Sequence, residues 1–154
     1  MKVSLRLLQK LRACDDGIEF YKKVGQPKTI KGCIKTAIEH NELKYASWFI
    51  VRCMDKIQCV QYAVFAAEQV LSIFENRYPN DKRPRKAIEA ARQYIENPSK
   101  ENANAANATY ATYAAYVADA AAAYVADAAA DTAYADALRI KILNYGLEIL
   151  GENK

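Results

Sequence analysis

Apolar residues recur along most of this chain at spacings of three and four, the period of one helix face. Leu5, Leu8 and Leu11, with Leu7 beside them, predict a first helix over Val3 to Arg12. Asp15 or Asp16 can cap a shorter second helix from Gly17 to Val24, with Ile18, Phe20 and Tyr21 as its apolar members. Gly25-Gln26-Pro27 ends it. Thr29 is placed to cap a third helix through Ile30, Cys33, Ile34, Ala37 and Ile38, which make one clear face. Asn41 separates that helix from a fourth, Glu42 to Met54, where Leu43, Ala46, Phe49, Ile50 and Cys53 share a side and Trp48 lies next to it. A longer helix follows from about Ile57 to Arg77. Its stripe is Val60, Val64, Ala67, Leu71 and Phe74, widened by Ala63, Val70 and Ile73, which predicts a place near the centre of a bundle.

Tyr78-Pro79-Asn80-Asp81 reads as a turn. Pro84 suits the first turn of the next helix, where its missing N–H costs nothing. That helix carries Ile88, Ala91 and Ile95 and stops before Pro98. Ser99 can cap a last region, with Asn102 at the third helical position in place of the Glu or Gln of a capping box. About half of residues 103–137 are alanine, the strongest helix former. An unbroken helix from Ser99 to Leu150 would run about 80 Å, so a break is expected between Thr109 and Asp136. Leu138, Ile142, Leu143, Tyr145, Leu147, Ile149 and Leu150 mark a final apolar helix ending near Gly151. An eight-residue repeat begins at Tyr116 and again at Tyr124. Eight residues advance a helix by two turns and about 80°, so the repeat spreads its tyrosines around the helix, and alanine between them lets another backbone approach.

Composition changes this picture little. The 154 residues suffice for one domain with a real core. Five Gly and four Pro are too few for a β-rich or α/β fold. The expected architecture is an all-α, compact bundle of about six to eight helices in a single domain over residues 1–154, with a long Ala/Tyr-rich helical segment near the C-terminus. The net charge of +4 is uneven: residues 22–35 and 82–86 are basic, while residues 103–137 carry only Asp. That excess is too mild for a nucleic-acid binder. The N-terminus does not read as a signal peptide, and no apolar run looks free enough of charge to span a bilayer. Cys14, Cys33, Cys53 and Cys59 match no zinc or redox spacing and are expected to be reduced and buried in a cytoplasmic protein.

Chemistry is sparse. The single histidine, His40, falls at an expected helix end, where it favours the helix dipole. Phosphate-cradling glycine loops, H-E-x-x-H and G-x-S-x-G are all missing. No catalytic residue, metal or cofactor is expected. Two constellations stand out. Arg85, Glu89 and Arg92 fall at i, i+4 and i+7 behind Asp81-Lys82-Arg83, at a helix start that favours anions. The cluster is either a solvated helix start with an internal Arg–Glu pair or a site for an anion or partner, since arginine forks hold carboxylate and phosphate. The second set is Asp119, Asp127, Asp131 and Asp136 with Tyr110, Tyr113, Tyr116, Tyr124 and Tyr134. Those groups either line a polar pocket or wet interface, with the arginines as candidate partners of the acids, or pack as core with their hydroxyls reaching the surface.

The stretch from Phe65 through RYPNDKRPRKAIEAARQYIENPSK to Asn107, the following Ala/Tyr/Asp tract and the closing KILNYGLEILG resemble the immunity-protein-five-like family of bacterial and phage-encoded proteins. The resemblance runs over about residues 60–151. It is looser before residue 55, where it rests on Cys14–Phe20 and on Tyr45-Ala-Ser-Trp-Phe49. Relatives are more purely Ala and Tyr where this chain has ENANAANATY. The resemblance implies a protective binder that neutralises a toxin or host effector by occupying it, and carries no residue-level mechanism. Arg83, Arg85, Glu89 and Arg92 are where it coincides with the charge reading. The expected partner is therefore a protein effector or toxin. The alternatives are a phosphorylated, nucleotide-like small molecule held between Arg83, Arg85 or Arg92 and Tyr110 to Tyr124, and an oligomeric scaffold. Self-association is expected slightly over a monomer.

Overall fold

A computed structural model describes residues 1–100 and 132–152 of the chain. Seven helices occupy them: α1 (Leu5–Lys10), α2 (Asp15–Lys23), α3 (Ile30–Glu39), α4 (Leu43–Arg52), α5 (Lys56–Arg77), α6 (Arg83–Glu96) and α7 (Thr132–Ile149). No strand occurs among the described residues, and the all-α expectation holds. Most of the Ala/Tyr-rich segment and its expected break lie outside the described residues.

The helix ends follow local chemistry. The Leu7 N–H donates to Ser4 Oγ at 3.3 Å to start α1. The helix is shorter than the leucine pattern suggests because Val3 is pulled away. Its N–H donates to the Lys28 carbonyl at 2.9 Å and its side chain is fully buried. At α2 neither aspartate is the cap. Cys14 holds that position without a side-chain bond, and Asp15 and Asp16 occupy the first turn, where they favour the positive end of the dipole. Gly25 and Gln26 turn the chain with φ of +82° and +55°. Thr29 caps α3 as expected, its Oγ1 accepting the Gly32 N–H at 2.9 Å. Position 32 has no room for a larger residue, since a Cβ there would sit 2.9 Å from that oxygen. Asn41, at φ +55°, separates α3 from α4.

Two compact units emerge. The first comprises residues 1–55 together with 139–154, the second residues 56–138. In the first, α1 packs on α2 and α3 on α4. Val3, Ile34, Ile50, Leu143 and Leu147, the most deeply buried large side chains, all belong to it. Burial of this kind stabilises by about 1.5–3 kcal/mol per side chain. The expected tail helix is present as the C-terminal part of α7, ending where Gly151 takes φ +70°.

In the second unit α5 packs along α6. The α5 stripe of Val60, Val64, Ala67, Leu71 and Phe74 is spaced 4-3-4-3, a heptad seam. Of these, Ala67 and Phe74 are buried and the rest half-buried. The expectation of a central helix is therefore not met among the described residues, because α5 has one packed face rather than burial all round. On α6 the buried side is Pro84, Ala87, Ile88 and Tyr94, with Ala91 half-buried. The reading that no apolar run could span a bilayer also needs correction. By length and composition α5 is sufficient, with mean hydropathy 1.3 over 18 residues. Within the protein, its mid-helix Glu68 pairs with Arg92 of α6, and its seam is used against that helix.

The cysteines are all free thiols, and Cys14 is exposed while the other three are half-buried. The expectation of four buried thiols is thus corrected, since Cys14 sits at a helix start rather than on an apolar face.

Candidate functional site

The α5–α6 hairpin concentrates the chain's organised charge. Pro84 sits at the start of α6, and the Arg83 N–H donates to Asp81 Oδ1 at 3.0 Å, so Asp81 anchors the helix start through its side chain. The same carboxylate takes the Arg83 guanidinium, with Nε 2.9 Å from Oδ1 and Nη2 2.6 Å from Oδ2. Arg85 reaches across to Glu75 on α5, Nε–Oε1 2.7 Å and Nη2–Oε2 2.6 Å. Arg92 likewise holds Glu68, Nε–Oε1 3.0 Å, with Nη2 on the same oxygen. Glu68 and Glu75 are seven residues apart on one helix, and Arg85 and Arg92 seven apart on the other. In an antiparallel hairpin this spacing sets two matched rungs beside the apolar seam.

Sequence analysis named the arginines but not these acids. The expected internal Arg85–Glu89 pair is replaced by a pair across the hairpin, and Glu89 is exposed with only a weaker field on Arg85. The missed signal was the heptad spacing of Glu68 and Glu75, legible only once α5 and α6 are known to run antiparallel. Arg85 hydrogen bonds hold the Glu75 carboxyl below its usual range. The side-chain and backbone hydrogen bonds of Arg83 bring Asp81 down to about 2. All three arginine side chains stay more than half exposed. Such solvated pairs fix geometry more than they stabilise.

At the turn end the hairpin opens into a shallow cleft of about 730 Å³, lined by Arg77, Tyr78, Lys82, Arg83 and Lys86 among others. Four cations face one acid, Asp81. Tyr78 is 46 % exposed, its ring 5.0 Å from that of Phe74 and 5.9 Å from the Arg77 guanidinium carbon. An exposed ring braced by a buried one beside arginine is the composition of an interface anchor. Arg83 is the one expected site residue that lines this cleft; Arg85, Glu89 and Arg92 lie along the α6 surface leading from it. Tyr110, Tyr113, Tyr116, Asp119, Tyr124 and Asp127 lie outside the described residues. His40 ends α3 as expected, exposed, with its ring edge-on to Phe20 at 5.9 Å. No cluster of three metal-ligating side chains occurs among the described residues.

The hairpin and its cleft fall inside a stretch with known relatives. A family model described as Imm-5 like putative immunity protein matches residues 50–152. The chain belongs to this family. The resemblance read from the RPRKAIEAAR run is thereby shown, and the family's span reaches further back than residue 60, to take in all of α5. No curated protein and no solved structure matches the chain. Family membership implies an immunity-type role through a protein partner in general, and α5, the cleft and α6 are the parts of the described family region that present charge and an exposed ring together.

Proposed function

We propose that this chain is a non-catalytic binding protein that neutralises a toxin or host immune effector by occupying it. The reading is carried by the turn-end cleft, where Arg77, Lys82, Arg83 and Lys86 surround one acid within the family's own stretch. A basic cleft with a braced tyrosine suits an acidic protein face. Complementary charge speeds encounter and selects partners, while the aromatic anchor supplies affinity. A phosphorylated small molecule is the lesser reading, because at Arg85 and Arg92 it would have to displace Glu75 and Glu68 from guanidinium forks already engaged.

The test is native mass spectrometry of the purified chain, and of a Lys82→Glu/Lys86→Glu variant, before and after incubation with lysate of its host. A stoichiometric protein adduct on the wild type that is lost from the variant supports the proposal. A mass increment of a few hundred daltons instead transfers the reading to the small molecule. An adduct indifferent to the charge reversal, or no adduct at all, overturns it.

A further inference from the structure

The first unit holds a separate, half-enclosed cavity of about 250 Å³ between α1–α2 and α3–α4. All of its lining residues precede residue 50, outside the family's matched stretch. Five rings supply much of its wall: Phe20, Tyr21, Tyr45, Trp48 and Phe49. The wall's polar atoms are already used. The Tyr21 hydroxyl and the Cys33 thiol both donate to the Pro27 carbonyl, at 3.1 and 3.4 Å. Burial pushes Cys33 up to about 12, so the thiol stays uncharged. At the exposed rim, the Lys44 ammonium lies 4.7 Å from the Tyr45 ring centre and 3.5 Å from a Glu42 carboxylate oxygen, leaving that edge balanced in charge. Nothing on this wall asks for an ion.

Gly17 gives a second, independent indication. It lies in α2 and lines the cavity. A Cβ at this position would lie 3.4 Å from Cys14 Sγ and 3.7 Å from Tyr45 Cδ1, ordinary contact distances, and its φ is not left-handed. Neither backbone nor packing requires glycine here, although glycine weakens a helix. What the missing side chain does is keep the cavity open. An apolar void of this size forfeits dispersion contacts, and water in it would lack partners. At interior packing density it accepts about ten non-hydrogen atoms. Ring-lined walls favour another ring, met edge-on or offset.

We propose that this cavity is a binding site for a small, uncharged aromatic molecule of one or two fused rings, of the indole or naphthalene class. The site is independent of the charged hairpin, and the Lys82→Glu/Lys86→Glu variant should bind such a molecule unchanged.

Titration calorimetry of the full chain with indole tests the assignment. Saturable one-to-one binding is expected, with a dissociation constant of about 0.1–1 mM for a ligand this small. Gly17→Leu, which fills the cavity, should weaken binding at least tenfold with the thermal midpoint unchanged or raised. Octanoate, similar in size but charged and acyclic, should bind at least tenfold more weakly than indole. Absence of saturable binding to the wild type overturns the proposal, as does octanoate binding as tightly as indole. Undiminished indole binding by Gly17→Leu overturns it too. Should that variant lose its fold, Ala13→Leu at another wall position carries the same comparison.

Discussion

Arg85 of α6 holds Glu75 of α5 in a two-point fork, each nitrogen on its own carboxylate oxygen, at 2.7 and 2.6 Å. One heptad along, Arg92 repeats the arrangement with Glu68. A slip of the two helices by one turn would part both pairs together, so the rungs act as a register device on a seam whose apolar residues are mostly small or half-buried.

Charge reversal should therefore act on register. Glu75→Arg or Arg85→Glu puts like charges opposite one another and should lower the thermal midpoint by a small amount. The double exchange should restore most of it. Salt at about 1 M should shrink all these differences, because exposed charges are then screened within a few ångströms. Equal midpoints for single and double variants at low salt would show that the rungs do not couple.

Asp81 gives the start of α6 a dependence on acid. Its carboxyl is held at about 2 by the hydrogen bonds of Arg83, below the ordinary aspartate value of about 4. The folded value is the lower one, so its contribution is complete above about pH 4 and is lost as pH falls towards 2. The Arg83 amide resonance should shift with a midpoint near that lower value, and Asp81→Asn should abolish the transition. A midpoint near 4 would mean that the anchor is not held in solution.

Core substitutions should separate the deeply buried positions from the exposed ones. Leu143→Ala, at a site with no exposure, should cost about 2–5 kcal/mol in urea unfolding. Ile73→Ala on the 38 % exposed side of α5 should stay within about 0.5 kcal/mol. Similar losses at the two positions would mean that the outer side of α5 is covered in solution.

Thiol labelling should be ordered. Cys14 is exposed, whereas burial pushes Cys33 up to about 12 and Cys53 up to about 11. Iodoacetamide at mildly alkaline pH should modify Cys14 first, with Cys33 and Cys53 following only as the chain opens, since the thiolate is the reactive form. Peptide mass spectrometry over a time course reads the order, and early modification of Cys33 would contradict its burial.

The helix count, the Thr29 cap, the turn before Pro84 and the apolar faces of α3 and α4 were legible because each depends on residues within one or two turns. Positions set by distant partners were not. Val3 looks like the start of a helix until the Lys28 carbonyl claims its N–H. Asp15 and Asp16 look like caps, yet the chain enters α2 one residue earlier. The arginine cluster was visible as a run of charge, but its acids sit on another helix and emerge only from an antiparallel pairing. The N-terminal cavity left one local trace, a glycine inside a helix, which composition alone gives no reason to single out.

The first unit is assembled from both sides of the second in chain order. Val3, Ile34 and Ile50 leave the ribosome long before Leu143 and Leu147, yet all five share the same solvent-free interior. Closing that interior spans nearly the whole chain, an arrangement that slows folding because the intervening loop entropy is lost before the contact is gained. A nascent chain is thus left with an apolar core open until its last helix arrives, and a product of premature termination would expose that core to proteases and chaperones rather than fold around it.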